Sequence, residues 1–172
     1  MARKRAGSGT PATVALERAG IAFEVRTYEH DPAAPSYGAE AAEALGVDAA
    51  RVFKTLLAET DAGLVVGVVP VTGSMDLKAL AGAVGVKRAT MAEVSVAERT
   101  TGYVVGGISP IGQRKQLVTV VDDSARQHET VLVSGGRRGL DLELAPTDLV
   151  AVTEGRYAPI ARPNERPGPP LR

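Results

Sequence analysis

Two periods of apolar residues alternate along the chain, and each change of period marks the border of an element. Thr10-Pro11 starts a helix, with Pro11 suited to the first helical position and Gly20 to its end. Ile21, Phe23 and Val25 then alternate with Ala22, Glu24 and Arg26, the period of a half-buried strand. Pro32 and Pro35 keep Tyr28–Tyr37 (YEHDPAAPSY) a loop. A short Ala-rich helix over Gly38–Leu45 stops at Gly46. Val52–Glu59 and Leu64–Val71 read as strongly apolar strands joined by Asp61-Ala62-Gly63, a hairpin signal. Ser74–Val84 reads as a helix ended by Gly85, and Thr90 with Glu93 matches a capping box opening a helix towards Arg99.

The second half is richer in strands. Tyr103–Val105, Leu117–Val121, Thr130–Val133 and Leu140–Leu144 are short runs of β-formers, separated by Gly106-Gly107 and Ser134-Gly135-Gly136. A last helix near Pro146–Thr153 precedes a closing strand at Tyr157–Ile160. Helices and strands are interspersed without regular βαβ spacing. This predicts an α+β fold, a single domain over residues 10–162 with a mixed, curved β-sheet and flanking helices. Residues 1–9, basic and Gly-containing, and 163–172, rich in Pro and charge, lack a periodic apolar face and read as disordered tails.

Composition narrows the chemistry. With 172 residues and 44% hydrophobic content, the chain can bury one sizeable core. Aromatics make up only 3%, with no Trp, which argues against base stacking as the main grip on nucleic acid. Twenty basic residues balance 20 acidic ones, so any RNA contact should be small, local or shared with a partner. The absence of cysteine excludes disulfides, thiolate zinc sites and a protein thiol nucleophile. No apolar run approaches the ~20 residues of a membrane helix, and the basic start lacks the apolar segment of a secretory signal. These features predict a cytoplasmic protein without a membrane partner.

Lys54 stands out. In Val52-Phe53-Lys54-Thr55-Leu56-Leu57 it shares one strand face with Val52 and Leu56, while Phe53 and Leu57 occupy the other, so the strand reads as buried on both sides. Such a lysine must reach water, pair with an anion or sit in a pocket, and taken alone it reads first as snorkelling to a sheet edge. Gly106-Gly107-Ile108-Ser109-Pro110 and Ser134-Gly135-Gly136-Arg137-Arg138-Gly139 both follow strands. They could aim backbone amides at a phosphate or an oxyanion, or simply turn the chain. GxxxxGK[ST] and GxSxG are absent. His30 and His128 show no metal-ligand spacing; the first reads as a loop stabiliser and the second as solvent-facing. Asp122-Asp123 reads as a solvated turn.

Four segments now combine. Thr27-Tyr28-Glu29-His30-Asp31-Pro32, Val52-Phe53-Lys54-Thr55-Leu56, Thr101–Pro110 (TGYVVGGISP) and Val133–Asp141 (VSGGRRGLD) occur in that order. Together they resemble the YbaK/EbsC branch of the tRNA-editing domains related to the insertion domain of prolyl-tRNA synthetase. The resemblance runs from about Thr10 to about Arg162 and is strong because four motifs keep their order.

The resemblance implies a Cys-tRNA(Pro) deacylase that uses neither a metal nor an organic cofactor. Its partners would be the aminoacylated CCA end of tRNA and prolyl-tRNA synthetase, which could hold the rest of the tRNA. It carries the essential lysine to Lys54, and substrate-binding positions to Tyr28, Tyr37, Thr55, Gly106, Gly107, Ile108, Ser109, Ser134, Gly135 and Asp141. Tyr37 stands where a close relative would have phenylalanine, which implies a more polar rim. Arg114, Lys115, Arg137 and Arg138 are candidate phosphate contacts, or plain solvent-facing charges. Other readings remain open: an Ala-tRNA(Pro) deacylase, a non-catalytic tRNA- or synthetase-binding module, or a small-molecule esterase pairing Ser134 or Ser109 with a histidine.

Overall fold

The first helix begins and ends where a side chain and a glycine can take over main-chain hydrogen bonds. In the computed structural model, which describes residues 9–33 and 37–163, α1 (Pro11–Ala19) starts at a reciprocal cap of Thr10 and Thr13 and ends at left-handed Gly20. Thr10 Oγ1 also donates to the Gly135 carbonyl at 2.5 Å, which ties the start of α1 to a distant glycine turn. The predicted tails before Gly9 and after Pro163, and Pro35 of the predicted loop, lie outside the described residues.

Strands β1 (Glu24–Thr27), β8 (Leu140–Leu144) and β7 (Val131–Arg137) form a three-stranded antiparallel sheet in the order β1-β8-β7. The predicted hairpin is β2 (Phe53–Thr60) and β3 (Gly63–Pro70), paired from Phe53↔Pro70 to Thr60↔Gly63. Around it runs a five-stranded sheet in the order β5-β2-β3-β6-β9, with β5 at Ala89–Met91, β6 at Val118–Asp122 and β9 at Arg156–Ala158. Its β3–β6 and β6–β9 pairs are parallel and the others antiparallel, so the sheet is mixed as expected. A parallel bridge between Val52 and Leu132 links the two sheets. Helices α2 (Tyr37–Leu45), α3 (Leu77–Val84), α4 (Val94–Thr101) and α5 (Pro146–Thr153) complete an α+β fold. The largest core cluster joins Leu16, Phe53, Leu57, Val66, Val133, Leu142 and Leu149, drawn from both sheets and two helices.

The expected strand at Ile21–Val25 lies later, at Glu24–Thr27, Tyr37 opens α2 rather than closing the loop, and four further expectations differ from the structure. Tyr103–Val105 forms no strand, because side chains take its polar groups: the Tyr103 amide donates to Thr101 Oγ1 and the Val105 amide to Glu98. Ser74 belongs to a short strand, β4 (Gly73–Met75), which pairs with β10 (Ala161–Pro163); Asp76 caps α3 instead. Thr90 lies in β5 opposite Glu59, so the next helix starts after Glu93, which makes no side-chain cap. Asp122 is only 6% exposed rather than solvated. Its Oδ1 accepts the amides of Ile160 and Ala161, both at 2.9 Å, fixing the chain that leads into β10.

Candidate active site

The cavity exists because β2 loses its neighbour midway. One edge of β2 pairs with β3 along its whole length. The other pairs with β5 only at Ala58–Thr60 and touches β7 through the bridge at Val52. Between these points the edge faces a cavity of about 420 Å³, floored by Val52–Leu57 and walled by α2, the segment from Met91 to Ala97, Val105-Gly106-Ile108, and the β7–β8 pair. Lys54 sits within that floor, opposite Val69 across the ladder.

Lys54 is half-buried, and its ammonium makes no ion pair or hydrogen bond among the described residues. Burial lowers its pKa, since no carboxylate compensates the lost hydration. Such a cation is available to a developing oxyanion or a phosphate. Thr55, beside it, contributes a buried hydroxyl without a hydrogen-bond partner among the described residues. Asp141 lies on β8 opposite Ser134, is 6% exposed and also lines the cavity. Its carboxyl has no hydrogen-bond partner among the described residues, and burial pushes its pKa up to about 7. Tyr28 lines the same space; burial first, then the Asp141 charge, pushes its phenol up to about 12.

The raised carboxyl gives a signed prediction. Asp141 titrates near pH 7 when folded and near its ordinary value of about 3.9 when unfolded. Between those values the native state holds the extra proton, so this residue's contribution is full below about pH 4 and is lost as pH rises through about 7. Asp141→Asn should therefore match the parent protein near pH 4 and become progressively more stable than it up to about pH 7, with a constant gap above. Urea melts at several pH values measure this, and a gap independent of pH would contradict it.

The cavity gathers Tyr28, Tyr37, Lys54, Thr55, Gly106, Ile108, Ser134 and Asp141. Gly107, Ser109 and Gly135 do not line it. Ser109 is fully buried, and its Oγ accepts the Ile111 amide at 3.2 Å. Gly107 lies against the Arg137 backbone, where an added Cβ would come within 2.6 Å of Arg137 Cα. Gly135 holds the start of α1 through its carbonyl. These three support the wall from behind. Sequence reasoning missed Met91, Ala92, Val94, Ala97 and Val105, apolar residues whose pattern matches that of core positions.

No histidine lines the cavity. His30 bonds Glu40 at 2.8 Å, and its ring lies 5.7 Å from that of Tyr37. Among the described residues, no group of three or more His, Cys, Asp and Glu could hold a metal, and no helix is long and apolar enough to cross a membrane.

A profile of the aminoacyl-tRNA editing domain matches residues 31–152. The chain belongs to the aminoacyl-tRNA editing domain family. It is 38% identical over 162 residues to an Enterococcus faecalis protein, EbsC, which is provisionally named a Cys-tRNA(Pro)/Cys-tRNA(Cys) deacylase; the match covers 93% of this chain and 98% of that one. Among solved structures it resembles one described, again provisionally, as a trans-editing enzyme for prolyl-tRNA synthetase (TM-score 0.80, 24% identity, 92% of this chain and 99% of that one). It also resembles the hypothetical protein APE2540 (TM-score 0.79, 26% identity, 89% and 100% covered). At 24% identity the first of these speaks to the fold, and the fold is shared almost end to end. Membership makes aminoacyl-tRNA the substrate class.

Proposed function

We propose that this editing domain releases cysteine from Cys-tRNA(Pro), with Lys54 as its catalytic residue. The observation that carries the reading is a half-buried ammonium, unpaired among the described residues, in the floor of a cavity that no histidine lines. Such a site lacks the imidazole base that a serine esterase would use. Cysteine brings its own nucleophile: a thiol of ordinary pKa about 8.5 is partly ionised near neutrality. In the proposed step the substrate sulfur attacks its own ester carbonyl. A C–S bond forms, the C–O bond to the ribose breaks, the thiol proton ends on the released ribose hydroxyl, and water then opens the resulting thiolactone to free cysteine.

The protein's part is then positioning and electrostatics. Lys54 meets the charge that develops on the carbonyl oxygen, or holds a terminal phosphate or ribose so that the ester lies in line. Thr55, Tyr28 and Ser134 offer hydroxyls, and Phe53, Leu57, Ala92 and Ala97 offer an apolar wall for the small side chain. Tyr37, Gly106 and Ile108 line the space beside them, and Gly107, Ser109 and Gly135 keep those loops in shape. The tRNA body would be held by prolyl-tRNA synthetase, which suits a chain of zero net charge. We place the reaction in the cytoplasm.

The test separates this reading from an esterase and from a binding module. Purified protein should release cysteine from Cys-tRNA(Pro) over many turnovers. The double variant His30→Ala, His128→Ala should retain activity within a few-fold, the small loss coming from the His30–Glu40 contact that steadies Tyr37. Tight binding of charged tRNA without release would favour a module, and loss of all activity in the double variant would favour a histidine-dependent esterase.

A further inference from the structure

We infer that Arg138 forms a phosphate-binding subsite at the mouth of the cavity, receiving the phosphodiester on the 5′ side of the terminal nucleotide. The inference rests on the editing reading and adds a residue to it. Three segments meet at this point: Tyr37 at the start of α2, the Val105-Gly106 turn, and the β7–β8 hairpin that carries Arg138. Arg138 joins them. Its Nε and Nη2 both donate to the Val105 carbonyl, at 3.0 and 2.7 Å, and its guanidinium lies 4.8 Å from the centre of the Tyr37 ring. Gly106 has φ +91°, and a Cβ there would stand 2.4 Å from Arg138 Nε and 3.1 Å from Tyr37 Cζ, so the three groups touch.

This geometry uses one edge of the guanidinium and leaves the other. The Nε–Nη2 edge is committed to Val105, whereas the Nη1–Nη2 edge has no acceptor among the described residues. Arg138 is exposed and has no carboxylate partner among those residues, so its charge is not neutralised within the protein. A planar fork already held by a carbonyl and an aromatic face loses little freedom on binding, and its spacing matches two phosphate oxygens. The position suits the substrate's shape. With the ester beside Lys54 inside the cavity, the nucleotide's 5′ phosphate lies towards solvent, on the side where the lining residue Tyr37 and its neighbour Arg138 are exposed. Among the candidate basic residues, Arg138 has its guanidinium fixed to two of the residues that line the cavity.

The test uses binding rather than turnover. Adenosine bearing cysteine through a 3′-amide, which the enzyme cannot cleave as an ester, is prepared with and without a 5′-phosphate. Calorimetry with the full chain should show the phosphorylated ligand binding about tenfold tighter or more. Arg138→Gln should erase that advantage and leave the affinity for the phosphate-free ligand within about twofold. Arg138→Lys, with charge but no fork, should keep only part of it. Equal binding of the two ligands by the parent protein, or equal losses on both in Arg138→Gln, would overturn the subsite and leave the editing reading intact. Binding of neither ligand by the parent protein would overturn the editing reading and the subsite together.

Discussion

Lys54→Ala is expected to reduce release of cysteine from Cys-tRNA(Pro) by at least about 10²-fold, the loss typical when a group aimed at a developing oxyanion is removed. The fold should survive. Lys54 has no bond to lose among the described residues, and its charge is held in a half-buried place that disfavours it, so the shorter side chain removes a desolvated ion. Removal of the alkyl stem leaves space next to an existing cavity, which costs less than a hole in the closed core. Single-turnover release measured beside a thermal melt separates the two effects. A folded variant with unchanged turnover would remove Lys54 from the chemistry. A variant that lost activity only by unfolding would leave it a structural residue, contrary to its lack of a partner among the described residues.

The second large effect lies in the substrate. Serine differs from cysteine by one atom and fits the same cavity, but its hydroxyl is far less ionised near neutrality than a thiol of pKa about 8.5. If the substrate's sulfur is the nucleophile, Ser-tRNA(Pro) should be cleaved at least about 10²-fold more slowly than Cys-tRNA(Pro). Similar rates would mean that water attacks with help from the protein. Asp141 would then be the first group to consider as a base, because it lines the cavity with a pKa near 7. The comparison thus divides substrate-assisted from protein-assisted cleavage without altering the enzyme.

Much of the fold was legible because its signals are local. Gly20 and Gly85 end their helices in left-handed conformations that other residues adopt at a cost, and Asp61-Ala62-Gly63 lies between two apolar runs that could only turn back. What stayed hidden depends on partners distant in sequence. β4 and β5 span three residues each and exist because β10 and the end of β2 pair with them, which no short window reveals. Tyr103–Val105 has the composition of a strand, but Thr101 and Glu98 take its amides. Asp122 looked like a surface acid until Ile160 and Ala161 returned to it from 38 and 39 residues away.

The site divides in the same way. Lys54 was conspicuous because a charge interrupts an apolar strand, but its surroundings depend on where β2 loses its neighbour, a feature of sheet topology. Glycines in motifs mark close approach without saying to what. Gly106 lines the cavity and meets Arg138 and Tyr37, whereas Gly107 does not line it and meets the Arg137 backbone. Ser109 sits in a motif and is fully buried, bonded to the Ile111 amide, while unremarked Met91 and Val94 stand exposed at the cavity wall. Apolar wall residues carry no mark that distinguishes them from core.

The central claim is that this cavity edits cysteine by using the cysteine itself. Its most direct test is the release of amino acid by the purified protein from Cys-tRNA(Pro) and Ala-tRNA(Pro) prepared on the same tRNA. Faster release of cysteine is the predicted result. Faster release of alanine, which has no thiol to attack its own ester, would contradict it.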